Sequence, residues 1–269
     1  MAKSKYEYVK NFEAHDSALL DTYMVVRLDG RGFTKMCDLH DFEKPNDKRA
    51  IDLMNSAAKV VMQEFEEIFL SYGQSDEYSF IFKREAELFE RRKEKIISCL
   101  TSLFTSAYVL NFPKYFKGEE LRTIPSFDGR LVCYPTLDTL KDYLRWRQVD
   151  CHINNLFNTT FWALVKKGGL SQKESEKKLK NTLSKEKNEI LFKDFGINYS
   201  NEPAMFRKGN IWIRSWKADP EKLKKYEDMI ENGNYEFKPR PPRKKQILEL
   251  CHIDIIHDKF WIENFPNLY

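Results

Sequence analysis

Three acidic residues stand where strand-forming runs stop: Asp29 in VVRLDGRGF, and Asp76 with Glu77 in YGQSDEYSF. If the two strands are neighbours, the three carboxylates converge at one end of a sheet. Two carboxylates about 4 Å apart repel by roughly 4 kcal/mol at an effective dielectric near 20. Such a site is tolerable when a proton is shared or a divalent cation lies between the oxygens. The pattern proposes metal-dependent phosphoryl or nucleotidyl transfer. One cation would lower the pKa of an attacking hydroxyl and a second would steady a triphosphate and its leaving group. The backbone carbonyl of Gly30 could supply a further oxygen. The plainer alternative is that Asp29-Gly30 is an ordinary turn and Asp76-Glu77 a solvated hairpin tip. Finding both pairs, each flanked by an apolar run, favours the metal.

Around these acids, Gly30-Arg31-Gly32-Phe33 would let a backbone approach phosphates closely, because glycine has no Cβ; it is not a Walker loop. Lys44 precedes a Pro45-Asn46-Asp47 helix start and could reach a nucleotide phosphate, or be a surface lysine beside a cap. Ser75 could donate to a phosphate or serve its turn. Between His152 and Thr159, a helical reading buries Ile153, Leu156, Phe157, Thr160, Phe161 and Leu164 and puts His152, Asn155 and Thr159 on another face. Neutral hydrogen-bonding groups there favour recognition of bases or sugars over charge pairing. Basic runs at Arg91-Arg92-Lys93 with Lys95, and from Lys177 to Lys187, read equally as solvated faces.

The elements that must position these groups follow from periodicity. Tyr23 to Leu28 reads as a strand, Asp47 to Leu70 as a helix, Ser71 to Lys83 as a hairpin turning at Gly73 to Asp76, Ala86 to Phe112 as a second helix and Leu131 to Tyr134 as a fourth strand. This β-α-β-β-α-β order describes a ferredoxin-like α+β sheet with helices on one face, spanning residues 1–136. Residues 137–269 read as a mainly helical half packed on it. It has one or two helices over Leu137 to Lys167, a lysine-rich helix over Gln172 to Phe195 and a hairpin over Met205 to Ile213 with a basic turn. A basic linker follows near Pro239 to Lys245, then a final apolar segment that packs back on the body.

With 269 residues, 42% of them hydrophobic, the chain can bury a sizeable core, and its formal charge of +4 is compatible with an anionic partner. Five cysteines without CxxC spacing suggest reduced thiols in a cytosolic or nuclear protein. The amino terminus lacks an apolar signal core, and no apolar run approaches the roughly 20 residues of a membrane span, so no membrane is expected.

VVRLDGRGF, the KPND segment, YGQSDEYSF, FDGR, WRQVDCHINNLFNT and KNEILF, in that order, resemble the tRNA-histidine guanylyltransferase family. The resemblance covers Met1 to Ile213, and nothing from Trp216 onward matches. It implies a catalytic domain similar to polymerase palms, and a reaction that extends RNA in the 3′-to-5′ direction. AMP from ATP caps the tRNA 5′-phosphate, the 3′-hydroxyl of GTP displaces it, and the pyrophosphate of the added nucleotide leaves. It further implies that Asp29, Gly30 and Asp76 hold two or more magnesium ions, with Glu77 as a third catalytic carboxylate. Gly30, Arg31, Gly32, Phe33, Thr34, Lys44, Asn46, Ser75 and Asp76 would contact ATP or GTP. Arg27, Arg92, Lys95, His152, Asn155, Lys187 and Asn198 would serve tRNA. A homotetramer is also implied, with residues 137–269 contributing tRNA binding and oligomerisation. A palm-type nucleotidyl cyclase and a non-catalytic tRNA-binding module are the rival readings; the first would form cyclic nucleotide without RNA, and the second would need no metal.

Overall fold

The computed structural model describes residues 4–13, 16–218, 220–233, 241–242 and 244–268. Its centre is the expected order: β1 (Tyr23–Gly30), the short α1 (Phe33–Leu39), α2 (Lys48–Glu64), β2 (Ile68–Gln74), β3 (Glu77–Phe82), α3 (Lys93–Tyr115) and β4 (Phe127–Tyr134). All strand pairs are antiparallel, and the sheet runs β4-β1-β3-β2 before two further strands extend it. Alternation along β1 and β3 divides the sheet cleanly. Met24, Val26, Leu28, Tyr78, Phe80 and Phe82 face one core, shared with Leu53, Ala57 and Val61 of α2 and Leu100, Phe104 and Phe112 of α3. Among the described residues, α3 alone is long and apolar enough to cross a membrane, which departs from the sequence expectation. Its Ile96, Leu100, Phe104, Tyr108 and Phe112 are buried in this fold.

Several boundaries correct the sequence reading. The helix that begins at the Asp47 cap stops at Glu64 instead of running to Leu70, because Ile68-Phe69-Leu70 enters the sheet as a central strand buried on both faces. A three-residue apolar run fits either period, and tertiary pairing decides. Helix α3 starts at Lys93, since Phe89, Glu90 and Arg91 are left-handed. Arg91 is no part of a basic surface: it is 4% exposed and its guanidinium donates to the carbonyls of Ala18, Leu19, Thr22 and Ala86.

The second half also differs in detail. Helix α4 is one unbroken segment, Leu137–Lys166, capped by a reciprocal Thr136–Thr139 box. The lysine-rich stretch is two helices, α5 (Gln172–Leu179) and α6 (Ser184–Phe195). The hairpin expected at Met205 to Ile213 is a single-turn helix α7 (Ala204–Arg207) leading into β5 (Asn210–Ala218). Its basic turn is tied down, with Lys208 paired to Asp254 at 3.0 Å and Asn210 buried. After α8 (Pro220–Asn232), β6 (Lys244–Cys251) pairs with β5, so the second half gives the sheet two strands, in the order β4-β1-β3-β2-β5-β6. Of the expected linker, Pro239, Arg240 and Arg243 lie outside the described residues.

Helices α2 and α3 share one face, as expected, and the second half covers the other. Leu140, Tyr143 and Leu144 of α4, with Ile255 and with Phe260 and Trp261 of α9 (Asp258–Asn264), pack against Tyr23, Val25, Tyr72 and Ile81. This is the predicted return of the final apolar segment. It also lays the polar edge of α4 across the strand ends that carry the acids. All five cysteines are free thiols.

Candidate active site

Strand register sets the acids in a row. Asp29 on β1 lies directly opposite Glu77 on β3 and Asp128 on β4. Directly opposed residues share a face and their Cβ atoms sit about 4.5–5.5 Å apart, so like charges there repel. The two flanking acids are answered. Asp128 accepts from Arg130 at 3.1 Å, and Glu77, 8% exposed, takes Arg147 Nη1 on both oxygens at 3.0 and 3.3 Å with Arg27 Nε at 3.9 Å. Asp29, in the middle, has no ion pair among the described residues, and neither has Asp76.

Asp76 reaches the same place from the β2–β3 turn. The turn is two residues, Ser75-Asp76, with Ser75 held left-handed at φ 50°, and the Asp76 carbonyl accepts from Gly30 N at 3.1 Å. Burial pushes the Asp76 carboxyl above its ordinary value and Asp29 pushes the same way, against the Ser75 hydroxyl and the Asp76 amide. Burial also raises Glu77, with Arg147 and then Arg27 opposing it. Among the described residues no group of three acidic, histidine or cysteine side chains stands ready to hold a metal. All three acids line one cavity, but Glu77 takes the two arginines, whereas Asp29 and Asp76 have no ion pair among the described residues.

A cavity of about 630 Å³ opens from this pair. Of the residues expected to contact nucleotide, Phe33, Thr34, Lys44, Asn46, Ser75 and Asp76 line it, and so do Glu77 and Asn155. Arg31 and Gly32 border a separate small depression instead. The glycines have distinct reasons. A Cβ on Gly30 would meet the Phe33 ring at 2.4 Å, whereas Gly32 is left-handed at φ 69° and starts α1 with open space around it. Lys44 is half-buried and paired to Asp38 at 3.0 Å. Burial pushes the Cys37 thiol up to about 11 and the Cys151 thiol to about 12, so both cavity cysteines are protonated and neither is a thiolate nucleophile.

At the far side of the cavity polar groups are satisfied by one another. Asn46 Nδ2 donates to Asn155 Oδ1 at 3.0 Å, and Asn155 Nδ2 donates to the Tyr199 hydroxyl at 3.0 Å. His152 packs edge-on against Tyr199, and burial holds its pKa below the usual value, with Arg207 and Lys208 adding to the effect. Asn198, exposed, caps the next turn through Ser200 N. Thr159 is buried on the Asn155 carbonyl and Ile153 is 50% exposed, so the faces read from sequence on this helix are rotated: Asn154 and Asn158 line the cavity beside Asn155. Lys187 is buried, with its ammonium on the Thr182 carbonyl at 2.6 Å. Arg27 is directed at Glu77. Arg92 and Lys95 sit at the opposite end of α3 from Tyr108, which borders the cavity, roughly 20 Å away along the helix.

Sequence reasoning missed Arg147, Asp128 and Asp150. Arg147 and Asp150 were in the quoted WRQVDCHINNLFNT segment and Asp128 in FDGR, but only strand register and the path of α4 show that they meet the acids. Asp150 accepts from Gln74 at 3.1 Å and lies 3.6 Å from Arg147.

A family profile described as "Thg1: tRNAHis guanylyltransferase" matches residues 6–135, and one described as "Thg1 C terminal domain" matches residues 138–257. The match therefore continues past Trp216, where the sequence reading found none. A tRNA(His) guanylyltransferase of Schizosaccharomyces pombe is 51% identical over 97% of this chain and 96% of its own length. The crystal structure of the Saccharomyces cerevisiae tRNA(His) guanylyltransferase superposes with TM-score 0.74 at 51% identity, covering 77% of this chain and 92% of that one. A bacterial guanylyltransferase-like protein, solved in complex with ATP, is 19% identical and shares the fold at TM-score 0.73 over 99% of this chain and 100% of that one.

Proposed function

The chain belongs to the tRNA-histidine guanylyltransferase family, and we propose that it transfers a guanylate to the 5′ end of histidine tRNA at the Asp29–Asp76 end of the cavity. The observation that carries this reading is the uncompensated acid pair. Two partly buried carboxylates without a protein cation are unfavourable by themselves and fit a divalent ion. Asp29, Asp76 and the Gly30 carbonyl would hold magnesium, which when bound favours the ionised attacking oxygen and neutralises triphosphate charge.

ATP and GTP are the proposed nucleotides. In the first step a tRNA 5′-phosphate oxygen attacks the α-phosphorus of ATP and pyrophosphate leaves. In the second the 3′-hydroxyl of GTP attacks the tRNA 5′-phosphorus and AMP leaves; water then attacks the α-phosphorus of the added nucleotide and pyrophosphate leaves. Phe33 and Thr34 would shape the wall beside the triphosphate. Lys44 would exchange Asp38 for a phosphate oxygen, and Ser75 would donate to another. Asn46 holds its loop to α4 through Asn155. Arg27 acts through Glu77.

The tRNA body would lie over residues 137–269, with His152 and Asn198 near its end and Asn155 and Lys187 holding the helices that present them. Arg92 and Lys95, distant from this cavity, would contact RNA engaged by a neighbouring subunit. That supports a homotetramer, as does the exposed apolar stripe of Trp146, Val149 and Ile153 on α4.

The test is incubation with histidine tRNA bearing a 5′-monophosphate, ATP, labelled GTP and magnesium. Label at the tRNA 5′ end is expected. Its absence, or cyclic nucleotide formed without RNA, would overturn the proposal.

A further inference from the structure

Glu77 has the reach to join Asp29. The two are cross-strand partners, their Cβ atoms about 4.5–5.5 Å apart, and a glutamate adds one more methylene than an aspartate. What holds it elsewhere is on α4. Arg147, 6% exposed, donates from one nitrogen to both Glu77 oxygens and so fixes the orientation of that carboxylate. Its guanidinium carbon lies 3.4 Å over the Trp146 ring, which screens it, and Asp150 stands 3.6 Å away. Asp150 is itself fixed by Gln74 of β2 and Asn154 of α4, each at 3.1 Å. From β1, Arg27 Nε lies 3.9 Å from Glu77 and Asp29 stands directly opposite it. The Nε atoms of both arginines are buried without a hydrogen-bond partner, so this arrangement leaves donors unsatisfied to keep the carboxylate in place.

We infer that Arg147 is a positioning residue for this reaction: by binding both oxygens of Glu77 it keeps that carboxylate from joining Asp29 and Asp76 as a cation ligand. The inference rests on reading that pair as a divalent-cation site. An additional carboxylate would bind the cation more tightly and take an oxygen position that triphosphate or RNA phosphate must occupy. Divalent-ion affinity should then rise while turnover falls, a combination that simple loss of packing does not produce.

The experiment titrates Mn²⁺ into the full chain with a non-hydrolysable GTP analogue, reading free Mn²⁺ by electron paramagnetic resonance, with circular-dichroism melting alongside. Arg147→Met is expected to tighten Mn²⁺ about tenfold and to lower kcat for guanylate addition with a smaller change in KM for GTP. Arg147→Lys should shift affinity the same way by less, since an ammonium cannot grip a carboxylate as a planar guanidinium does. The double variant Arg147→Met/Glu77→Gln should return Mn²⁺ affinity to within about twofold of the parent, isolating the pair. Unchanged Mn²⁺ affinity in Arg147→Met overturns the inference while leaving the cation site standing; if that variant does not fold, unchanged affinity in Arg147→Lys does the same. A parent chain that binds no Mn²⁺ overturns both.

Discussion

The two ends of the cavity are built from similar short polar side chains and balanced in opposite ways. At the Asp29–Asp76 end, charge is left over: the flanking acids Glu77 and Asp128 are matched with arginines while the central pair is not. At the Asn46–Asn155–Tyr199 end, donors and acceptors close on one another. A folded chain gains nothing from the first arrangement and a good deal from the second. The difference separates the groups that meet substrate from those that hold the walls.

The largest expected effect breaks the first end only. Asp76→Ala should reduce labelled-GTP incorporation by about 10³-fold or more while tRNA binding persists and the melting temperature holds or rises, because a like-charge repulsion is relieved. Asn155→Ala should give the reverse: a loss of about 2 kcal/mol of stability from orphaned buried partners, measured by denaturant unfolding, with incorporation reduced less than about tenfold.

Acid should sharpen the contrast. The Asp76 pKa is raised on folding, so the native state binds its proton first and stability contributed by that group increases as pH falls through the raised value towards 3.8. The His152 pKa is lowered, so the unfolded state binds its proton first and stability is lost as pH falls from 6.5 through the lowered value. Melting profiles should therefore show less acid destabilisation near neutrality in His152→Gln, and a smaller recovery at lower pH in Asp76→Asn. The smallest effect concerns the distant patch. Lys95→Ala should weaken tRNA binding severalfold and reduce the salt slope by about 1, leaving turnover at saturating RNA unchanged.

Much of this was legible from residues alone. Alternation placed β1 and β3, the Asp47 cap placed α2, and Asp29 and Asp76 stood out because two acid motifs, each flanked by an apolar run, occur together. What was not legible depended on long-range pairing. Nothing local says that Glu77 meets Arg147, seventy positions away, or that Asp128 aligns with Asp29. Arg91 reads as surface charge by type and is buried because five neighbouring carbonyls and a hydroxyl need a donor cluster. Lys187 likewise reads as a free cation until α5 and α6 prove to be separate helices that close over it. The end of α2 was misjudged because Phe65 and Ile68 continue the helical period by coincidence with the next strand.

The acid row offers the most direct test. Guanylate incorporation at the histidine-tRNA 5′ end should be measured for Asp29→Asn and Asp128→Asn, cross-strand partners of the same type that differ in whether an arginine answers them. Loss of about 10³-fold for Asp29→Asn, beside activity within about threefold of the parent for Asp128→Asn, is the predicted result. Equal effects at the two positions, or retained activity in Asp29→Asn, would contradict the claim that the uncompensated carboxylates perform the chemistry.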